Sequence, residues 1–255
     1  MRTEINRYEL FGVWANDFTI ASFLSAIRDI IDTRSHCVIG HHNLHSIYLY
    51  HRDTAMRMFF EQAAQYTFID GMPIILWSKF LGYPLVRDHR FTAVDWMPQL
   101  MERCASEGWR IFYLGSQPSI VETGAQRFRE QYPGLAIAAA HGYFDIDTES
   151  DRVIAAINEW NPDVLLVGMG MPRQERWLLH HHAEVEAPCA ITVGAAMDYF
   201  AGAIPTPPRW MSRLSLEWLA RLIAEPRRLG KRYLIEPWSL LPYMAADVRK
   251  HVLRR

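Results

Sequence analysis

Hydrophobic positions along the chain switch between a helical period and short continuous runs. Residues 17–32 carry apolar side chains at the spacing of one helix face, which predicts an amphipathic helix: Ile20, Phe23, Leu24, Ile27, Ile30 and Ile31. Residues 37–40 form a continuous apolar run, which predicts a short buried strand. A second predicted strand at 66–70 ends in Asp70, and Pro73 opens a predicted helix.

The second half of the chain repeats this alternation more clearly. Apolar runs predict strands at 109–115, 135–140, 162–168 and 189–193, with helices up to about 131, at 150–160 and from Pro172 onward. Strands that alternate with helices form parallel βαβ units, and such sheets bind ligands beyond the carboxyl ends of their strands. The sequence therefore predicts an α/β fold with candidate site positions at those ends: Asn43, Asp70, Gly115, His141, Gly168, Gly170 and Gly194.

Charge divides the chain unevenly. The formal net charge is −1, but eleven Lys and Arg against four Asp and Glu give residues 209–255 a charge of +7, which leaves −8 on residues 1–208. Trp210, Trp218 and Trp238 are interleaved with these basic residues. Two structures of the tail are therefore compatible with the sequence, and the sequence does not decide between them. One is an interfacial surface that seeks anionic lipid, and the other is a helical pair packed on the core with Arg stems covering apolar surface.

Length and composition narrow the class of protein. A chain of 255 residues that is 50% hydrophobic and 22% charged is globular. It suits one large α/β domain, or a domain of about 200 residues with an appendage. We divide it into an α/β domain at 1–208 and a basic appendage at 209–255. Because the whole chain has no basic excess, we expect no nucleic-acid partner.

Cysteine usage and hydropathy indicate the compartment. Cys37, Cys104 and Cys189 form neither a disulfide framework nor a zinc spacing, which fits a reducing compartment. No apolar stretch approaches the roughly 18 residues that a spanning helix needs, and charged residues stand where a signal peptide would be apolar. We expect a cytoplasmic protein, or one held at a membrane surface without crossing it.

Two strand ends carry candidate chemistry. Asp70 follows a strand and precedes a glycine, so it is a candidate general base, although an Asp-Gly turn or a helix cap explains the same pattern. Residues 168–175, Gly-Met-Gly-Met-Pro-Arg-Gln-Glu, combine a flexible turn with a helix N-terminus. That combination suits recognition of an anion or an amide, and a plain turn between strand and helix is the alternative.

Metal and cofactor motifs are weak. Asp145 and Asp147 match the Asp-x-Asp pattern that holds a divalent cation in many nucleotide-sugar enzymes, but a helix-capping turn explains them better. His180, His181 and His182 are consecutive in a predicted helix and point in different directions, so they do not chelate one ion together. The chain contains no Walker A, Gly-x-Gly-x-x-Gly or Gly-x-Ser-x-Gly motif. We expect no metal and no cofactor.

Residues 161–175, Asn-Pro-Asp-Val-Leu-Leu-Val-Gly-Met-Gly-Met-Pro-Arg-Gln-Glu, resemble the signature of the WecG/TagA/CpsF glycosyltransferases, glycosyltransferase family 26. Further matching pieces occur in the family's order: Asn43, 69–74, 90–95, 112–116, 132–134, 141–144, 193–198, 201–202 and 220–229. The resemblance covers about residues 35–235. It implies a compact Rossmann-like α/β domain of the GT-E type with parallel sheet and flanking helices, followed by a basic helical C-terminal appendage.

The resemblance also implies an activity. It implies an inverting, metal-independent transferase that moves a hexose-type sugar from a UDP-sugar to a polyprenyl-diphosphate-linked saccharide. The work of such an enzyme is cell-surface or exopolysaccharide biosynthesis, at the inner face of the cytoplasmic membrane. A non-catalytic nucleotide-sugar-binding module and a UDP-sugar hydrolase on the same fold are the alternatives. The donor sugar, the acceptor glycan and whether the protein forms a homo-oligomer stay open.

Site residues are carried over position by position. Asp70 matches the proposed general base. The substrate-binding residues implied by the resemblance and by the strand ends are His41, Asn43, Arg90, Asp95, Gly115, Gly168, Gly170, Gln174, Asp198, Arg221 and Arg228. His41 stands where the family often has Thr, and Ala93 replaces a Gly. Both edge the pocket, so we expect the sugar or the acceptor to differ from that of the N-acetylmannosamine enzymes.

The resemblance also implies that two tail arginines, Arg221 and Arg228, close over the diphosphate. A leaving UDP develops negative charge, which either a metal or a cluster of Arg must stabilise. Arg221 and Arg228 lie seven residues apart, which is two turns of one helix, unless Pro226 starts a new helix and leaves them on either side of a kink.

Overall fold

The computed structural model describes residues 5–205, 211 and 217–253, apart from the side chains of Glu217, Ala224 and Arg228. An N-terminal hairpin pairs β1 (Arg7–Leu10) with β2 (Val13–Asn16) in antiparallel register. The main sheet contains β3 (Cys37–His42), β4 (Ala64–Ile69), β5 (Arg110–Gly115), β6 (Ala136–Ala140), β7 (Val164–Gly168) and β8 (Cys189–Thr192).

The six strands of the main sheet are all parallel, as the sequence predicts, and their order is β4-β3-β8-β7-β5-β6. The last two strands along the chain, β7 and β8, fill the space between β5 and β3. The strand order therefore reverses at the centre of the sheet, where open α/β sheets bind their ligands. The predicted Rossmann-like arrangement is confirmed.

Helices cover the sheet and join its strands. They are α1 (Ile20–Thr33), α2 (Leu44–Tyr50), α3 (Thr54–Met58), α4 (Met72–Phe80), α5 (Ala93–Glu107), α6 (Pro118–Gln131), α7 (Ile146–Trp160), α8 (Arg173–His181) and α9 (Ala196–Phe200). A π-helical turn (Phe59–Ala63) and a 3-10 turn (Arg87–His89) lie between them. The predicted helices at 17–32, 150–160 and after Pro73 and Pro172 correspond to α1, α7, α4 and α8.

Two apolar layers sandwich the sheet because neighbouring residues of a strand face opposite sides. In β5, Ile111 and Tyr113 pack with α1 and α5, whereas Phe112 and Leu114 pack with α7 and α8. A third cluster lies under the hairpin and α4 and includes Leu10, Ile74 and Leu240. This arrangement holds the strand ends in fixed positions.

The basic tail forms separate helices. They are α10 (Glu217–Ala224), α11 (Pro226–Leu234), a 3-10 helix (Glu236–Leu240) and α12 (Leu241–Leu253). Pro226 begins α11, so Arg221 lies on one helix and residue 228 on the next, which is the second of the two predicted arrangements. The predicted boundary at 208/209, with Trp210, lies outside the described residues. No helix within the described ranges is both long and apolar enough to cross a bilayer.

Candidate active site

Asp70 lies at the carboxyl end of β4, next to the end of β3. Its backbone N–H donates to the carbonyl of His42 (2.9 Å), which continues the ladder between the two strands by one residue. The Asn43 amide donates to the Asp70 carboxylate across 3.4 Å. Asn43 also caps α2, because its side-chain oxygen accepts from the backbone N–H groups of His45 and Ser46. The cap fixes the amide beside the carboxylate.

His41 is buried one strand further into the sheet. Its Nδ1 contacts the Thr192 hydroxyl (2.8 Å), and its ring stacks on Phe68 at 5.4 Å. Burial lowers the pKa of His41, and the charge of Asp70 opposes that shift. The imidazole is therefore biased toward its neutral form, and it lies close enough to Asp70 for the two charges to interact.

Arg90 and Asp95 behave differently from each other. The Arg90 guanidinium donates from Nε to the backbone carbonyl of Asp70 (3.0 Å), so it braces the strand end that carries the candidate base. The exposed Asp95 carboxylate accepts from the backbone and hydroxyl of Thr92, both at 2.8 Å, and closes the capping box of α5. Its described contacts are with its own helix terminus rather than with Asp70.

Gln174 and Glu175 lie fully buried where β7 and β8 end. The Gln174 Oε1 accepts from the backbone N–H groups of Gly170 (3.2 Å) and Gly194 (3.1 Å), and its Nε2 donates to Glu175 across 2.7 Å. Gln174 thus joins the two central turns. Burial raises the pKa of Glu175 to about 7, and its Oε2 has no hydrogen-bond partner among the described residues.

Two of the predicted glycines bring backbone segments into close contact. A Cβ on Gly115 would lie 2.3 Å from the carbonyl oxygen of Gly168, and a Cβ on Gly168 would lie 2.1 Å from the Tyr113 hydroxyl. Neither position accepts a side chain in this packing. Gly170 has a positive φ of 79° and open space where a Cβ would be, so its turn needs glycine for its conformation.

Helix α9 links the end of β5 to the tail. The Asp198 carboxylate accepts a short hydrogen bond from the Ser116 hydroxyl. The neighbouring Tyr199 accepts the Arg221 guanidinium over its ring at 5.4 Å and also hydrogen-bonds with it. Burial raises the pKa of Tyr199, and Arg221 opposes that shift. Arg221 therefore lies beside α9, next to Asp198, whereas the Arg228 side chain lies outside the described residues.

Arg232 of α11 is a candidate site residue that sequence reasoning missed. Its charge interacts with those of Arg221, Asp70 and Glu236, and it also affects the pKa values of His41 and Glu175. Burial lowers the pKa of Arg232, and its Nε is buried without a hydrogen-bond partner among the described residues. A desolvated guanidinium with an unpaired donor is unfavourable alone, so this arrangement suits an anionic ligand.

The tail is attached to the body by two buried carboxylates. Glu236 accepts from His45 Nδ1 at 2.6 Å, on the helix that Asn43 caps. Asp247 of α12 accepts from the backbone of Phe11 (2.6 Å) and from the indole of Trp77 (3.0 Å). These contacts span the hairpin, α2 and α4, so they position α11 with Arg232 over the strand ends.

Comparison with known proteins identifies the chain. The family model described as "Glycosyl transferase WecG/TagA/CpsF family" matches residues 8–253. The chain belongs to this family. The match runs from the second residue of β1 to the end of α12, so it extends at both ends beyond the residues 35–235 that carry the resemblance by motif.

Curated relatives include other members of the WecG/TagA/CpsF family. The chain is 31% identical over 168 residues to an N-acetylglucosaminyldiphosphoundecaprenol N-acetyl-beta-D-mannosaminyltransferase of Staphylococcus aureus strain NCTC 8325, and likewise to that of strain COL. It is 30% identical to the protein of strain MRSA252. Each match covers 66% of this chain and 65% of the relative, so it spans just under two thirds of the relatives' length.

The weak metal motifs have structural roles in this family member. Asp145 caps α7, because its carboxylate accepts from the backbone N–H groups of Asp147 (2.9 Å) and Thr148 (3.3 Å), which confirms the predicted capping turn. His181 contacts Glu184, and His182 contacts the carbonyl of Leu178. Among the residues that the structure describes, no group of three His, Cys, Asp or Glu side chains is arranged to hold a metal ion.

Proposed function

We propose that the protein is an inverting glycosyltransferase that moves a hexose-type sugar from a UDP-sugar to a polyprenyl-diphosphate-linked saccharide. Its proposed setting is cell-surface or exopolysaccharide biosynthesis. Family membership supports sugar transfer, and the names of the relatives from S. aureus support a lipid-diphosphate-linked acceptor. The observation that carries the proposal is that Asp70 lies at a strand end within electrostatic range of Arg232, whose buried Nε has no hydrogen-bond partner among the described residues.

Asp70 is the proposed general base. Its carboxylate would take the proton of the acceptor hydroxyl as that oxygen attacks the anomeric carbon of the donor. Because the attack comes from the side opposite the leaving group, one carboxylate suffices and the anomeric configuration inverts. The Asn43 amide and the Arg90 contact to the Asp70 carbonyl support this role, since they hold the carboxylate in place before substrate arrives.

Arg232 and Arg221 are the proposed stabilisers of the leaving group. When the bond between the anomeric carbon and the diphosphate oxygen breaks, the electron pair leaves with UDP. Guanidinium groups bind such oxygens with charge-assisted, bidentate hydrogen bonds. The buried Nε of Arg232 has no hydrogen-bond partner among the residues described, and the Arg232 charge interacts with that of Arg221. Two guanidinium groups would supply the positive charge that a metal supplies in other transferases, so we propose metal-independent transfer.

We assign the donor nucleoside to the end of β5, where Ser116 and Asp198 present hydroxyl and carboxylate oxygens suited to ribose hydroxyls. His41 is proposed to select the sugar. Its ring is larger than the threonine frequent in the family and lies beside Asp70, so the pocket should accept a different sugar or acceptor. The backbone turns held by Gln174 would form the floor of the pocket.

We also propose that residues 1–208 form the catalytic domain, and that residues 209–255 complete the diphosphate site and contact the inner face of the cytoplasmic membrane. The position of Arg232 supports the first role of the tail. Its basic charge and exposed Trp218 and Trp238 support the second.

A donor screen tests the function. Purified protein is mixed with each of several UDP-sugars and a short-chain polyprenyl-diphosphate saccharide, and the products are identified by mass. A product heavier than the acceptor by one hexose-type residue supports transfer. UDP release at the same rate without acceptor would instead establish the hydrolase, and donor binding without turnover would establish the binding module.

A further inference from the structure

Helix α4 presents an apolar face to solvent. Its sequence, Met-Pro-Ile-Ile-Leu-Trp-Ser-Lys-Phe, is apolar almost all round, a composition typical of helices that are covered on every side. Ile74 and Ile75 are buried against the body, but Leu76 is 59% exposed and Phe80 is 71% exposed. These two residues lie four positions apart and so share one face of the helix.

The exposed face of α4 adjoins the tail. Phe80 stacks on Trp77 at 5.0 Å, and the Trp77 indole donates to Asp247 of α12. Leu240, at the end of the 3-10 helix, is buried in the same cluster as Ile74. The segment around this 3-10 helix exposes its own large apolar side chains: Leu234, Ile235, Trp238 and Leu241. Two elements that pack on one cluster therefore both expose apolar groups.

Basic residues are exposed on the helices that carry or adjoin these apolar groups. Exposed side chains of α4, α11 and α12 include Lys79, Arg227, Lys231 and Arg249. Two of the four tail carboxylates, Glu236 and Asp247, are buried in contacts with the body, so these two do not offset the positive charge at the surface. Apolar and aromatic side chains flanked by Lys and Arg are typical of a surface that lies in the headgroup region of an anionic bilayer.

The charge also argues against a second copy of this chain as the partner. A two-fold symmetric dimer through this face would bring like patches together, so the lysines and arginines of both copies would oppose one another. Anionic lipid instead neutralises them. A bilayer that contains anionic lipid therefore supplies both the negative charge and the apolar phase that this surface needs.

We propose that Leu76 and Phe80 of α4, together with Ile235, Trp238 and Leu241 of the tail, form the bilayer-docking face of this protein. This proposal rests on the proposed function, in which a lipid-linked acceptor must reach Asp70. Helix α4 begins two residues after Asp70, so an acceptor held in the bilayer would approach that carboxylate from the side of α4. It extends the membrane contact from the basic tail to a helix of the catalytic body.

Vesicle flotation tests the docking face. The full chain is mixed with vesicles of phosphatidylcholine containing phosphatidylglycerol, and with vesicles of phosphatidylcholine alone. We expect binding to the anionic vesicles, and about tenfold weaker partition for the double variant Leu76→Ser/Phe80→Ser, because it removes two large apolar groups from the bilayer. Met58→Ser, at another exposed apolar residue, is the matched control and should bind like the wild type.

Several outcomes would overturn the docking face. They are equal partition of the double variant and the wild type, failure of the wild type to bind anionic vesicles, and a concentration-dependent dimer that the double variant abolishes. Activity on a water-soluble acceptor is measured in parallel and should not change in the double variant. If no variant transfers sugar but vesicle binding follows the expected order, the proposed function fails and the docking face stands.

Discussion

The sheet body and the C-terminal tail contribute to the candidate active site in opposite ways. In the body, polar side chains at the strand ends are already engaged: Asn43 caps α2, Gln174 joins two turns and Arg90 binds the Asp70 carbonyl. In the tail, Arg232 is buried, and its Nε has no hydrogen-bond partner within the part of the chain that the structure describes. The body is thus preorganised by internal hydrogen bonds, whereas the tail brings a buried positive charge whose Nε could donate a hydrogen bond to a bound anion.

The largest effect should come from the body. Asp70→Asn keeps the shape and the neighbours of the side chain but removes the proton acceptor, so turnover should fall by roughly 10²–10⁴-fold. Steady-state kinetics measures this change, and circular dichroism checks the fold. A variant that retains more than about a third of the wild-type rate would remove Asp70 from the role of base.

A substitution in the tail at Arg232 should weaken the use of the donor. Arg232→Gln removes the buried guanidinium and should lower kcat/KM for the UDP-sugar by roughly 10–100-fold, the range expected for one lost charge-assisted contact. Arg227→Gln, at an exposed position on the same helix, is the control for net charge. Equal losses in the two variants would mean that Arg232 acts only through the overall charge of the tail.

The attachment between the two regions can be weakened at Asp247. Replacement by Ala leaves the buried Phe11 N–H and the Trp77 indole without their acceptor, so we expect a loss of about 2–4 kcal/mol in unfolding free energy. Urea denaturation measures it. Lys250→Ala, which breaks a surface ion pair with Glu9, should change stability by less than about 1 kcal/mol. Asp247 variants as stable as wild type would show that the tail is held elsewhere.

Glu175 should give the body a stability that depends on pH. Burial raises its pKa from 4.5 to about 7, so the folded protein keeps a proton that the unfolded chain releases between these values. Stability contributed by this group is therefore present at low pH and falls as pH rises through that window, by at most about 3 kcal/mol. Glu175→Gln should remove the decline when unfolding is measured at pH 5 and pH 8. An unchanged pH dependence would contradict this assignment.

Removal of divalent ions should have the smallest effect on activity. If guanidinium groups alone balance the leaving diphosphate, activity in excess chelator should equal activity in Mg²⁺ or Mn²⁺. Asp145→Ala should likewise leave catalysis intact, because its carboxylate caps α7. Strict sensitivity to chelator that disappears in Asp145→Ala would restore the cation role of that pair.

The sequence predicts those helices and strands that a single local pattern identifies, such as a continuous apolar run or a proline at a helix start. Continuous apolar runs bounded by turns predict the six strands of the main sheet, and Pro73 and Pro172 mark the starts of α4 and α8. Sequence reasoning missed the hairpin, whose strands are only four residues long, and α5. A capping box, Thr92 with Asp95, and the buried stripe that includes Trp96 and Leu100 were the available signals for α5.

Prediction of the candidate site is likewise limited to residues that a local pattern identifies. Asp70 and Asn43 stand out because strand ends of a parallel sheet meet at one edge. Asp95 matches a family position in the sequence, but in the structure its carboxylate caps its own helix. Gln174 is fully buried, and its side chain joins two backbone turns. Arg232 could not be selected, because helices α10 and α11 are separated by Pro226 and their relative orientation depends on tertiary contacts such as that of Glu236 with His45. The approach of Arg232 to the site is therefore a property of the packed tail.

The strand order has a consequence for how the chain assembles during synthesis. Strands β3 and β4 pair with each other, and so do β5 and β6, but these two pairs become one sheet only when β7 and β8 enter between them. A nascent chain that stops before residue 164 therefore carries two separate ribbons, each with an unpaired inner edge open to association with other chains. Because the centre of the sheet is completed from the last third of the chain, we expect the sheet to form late in synthesis and as one cooperative unit.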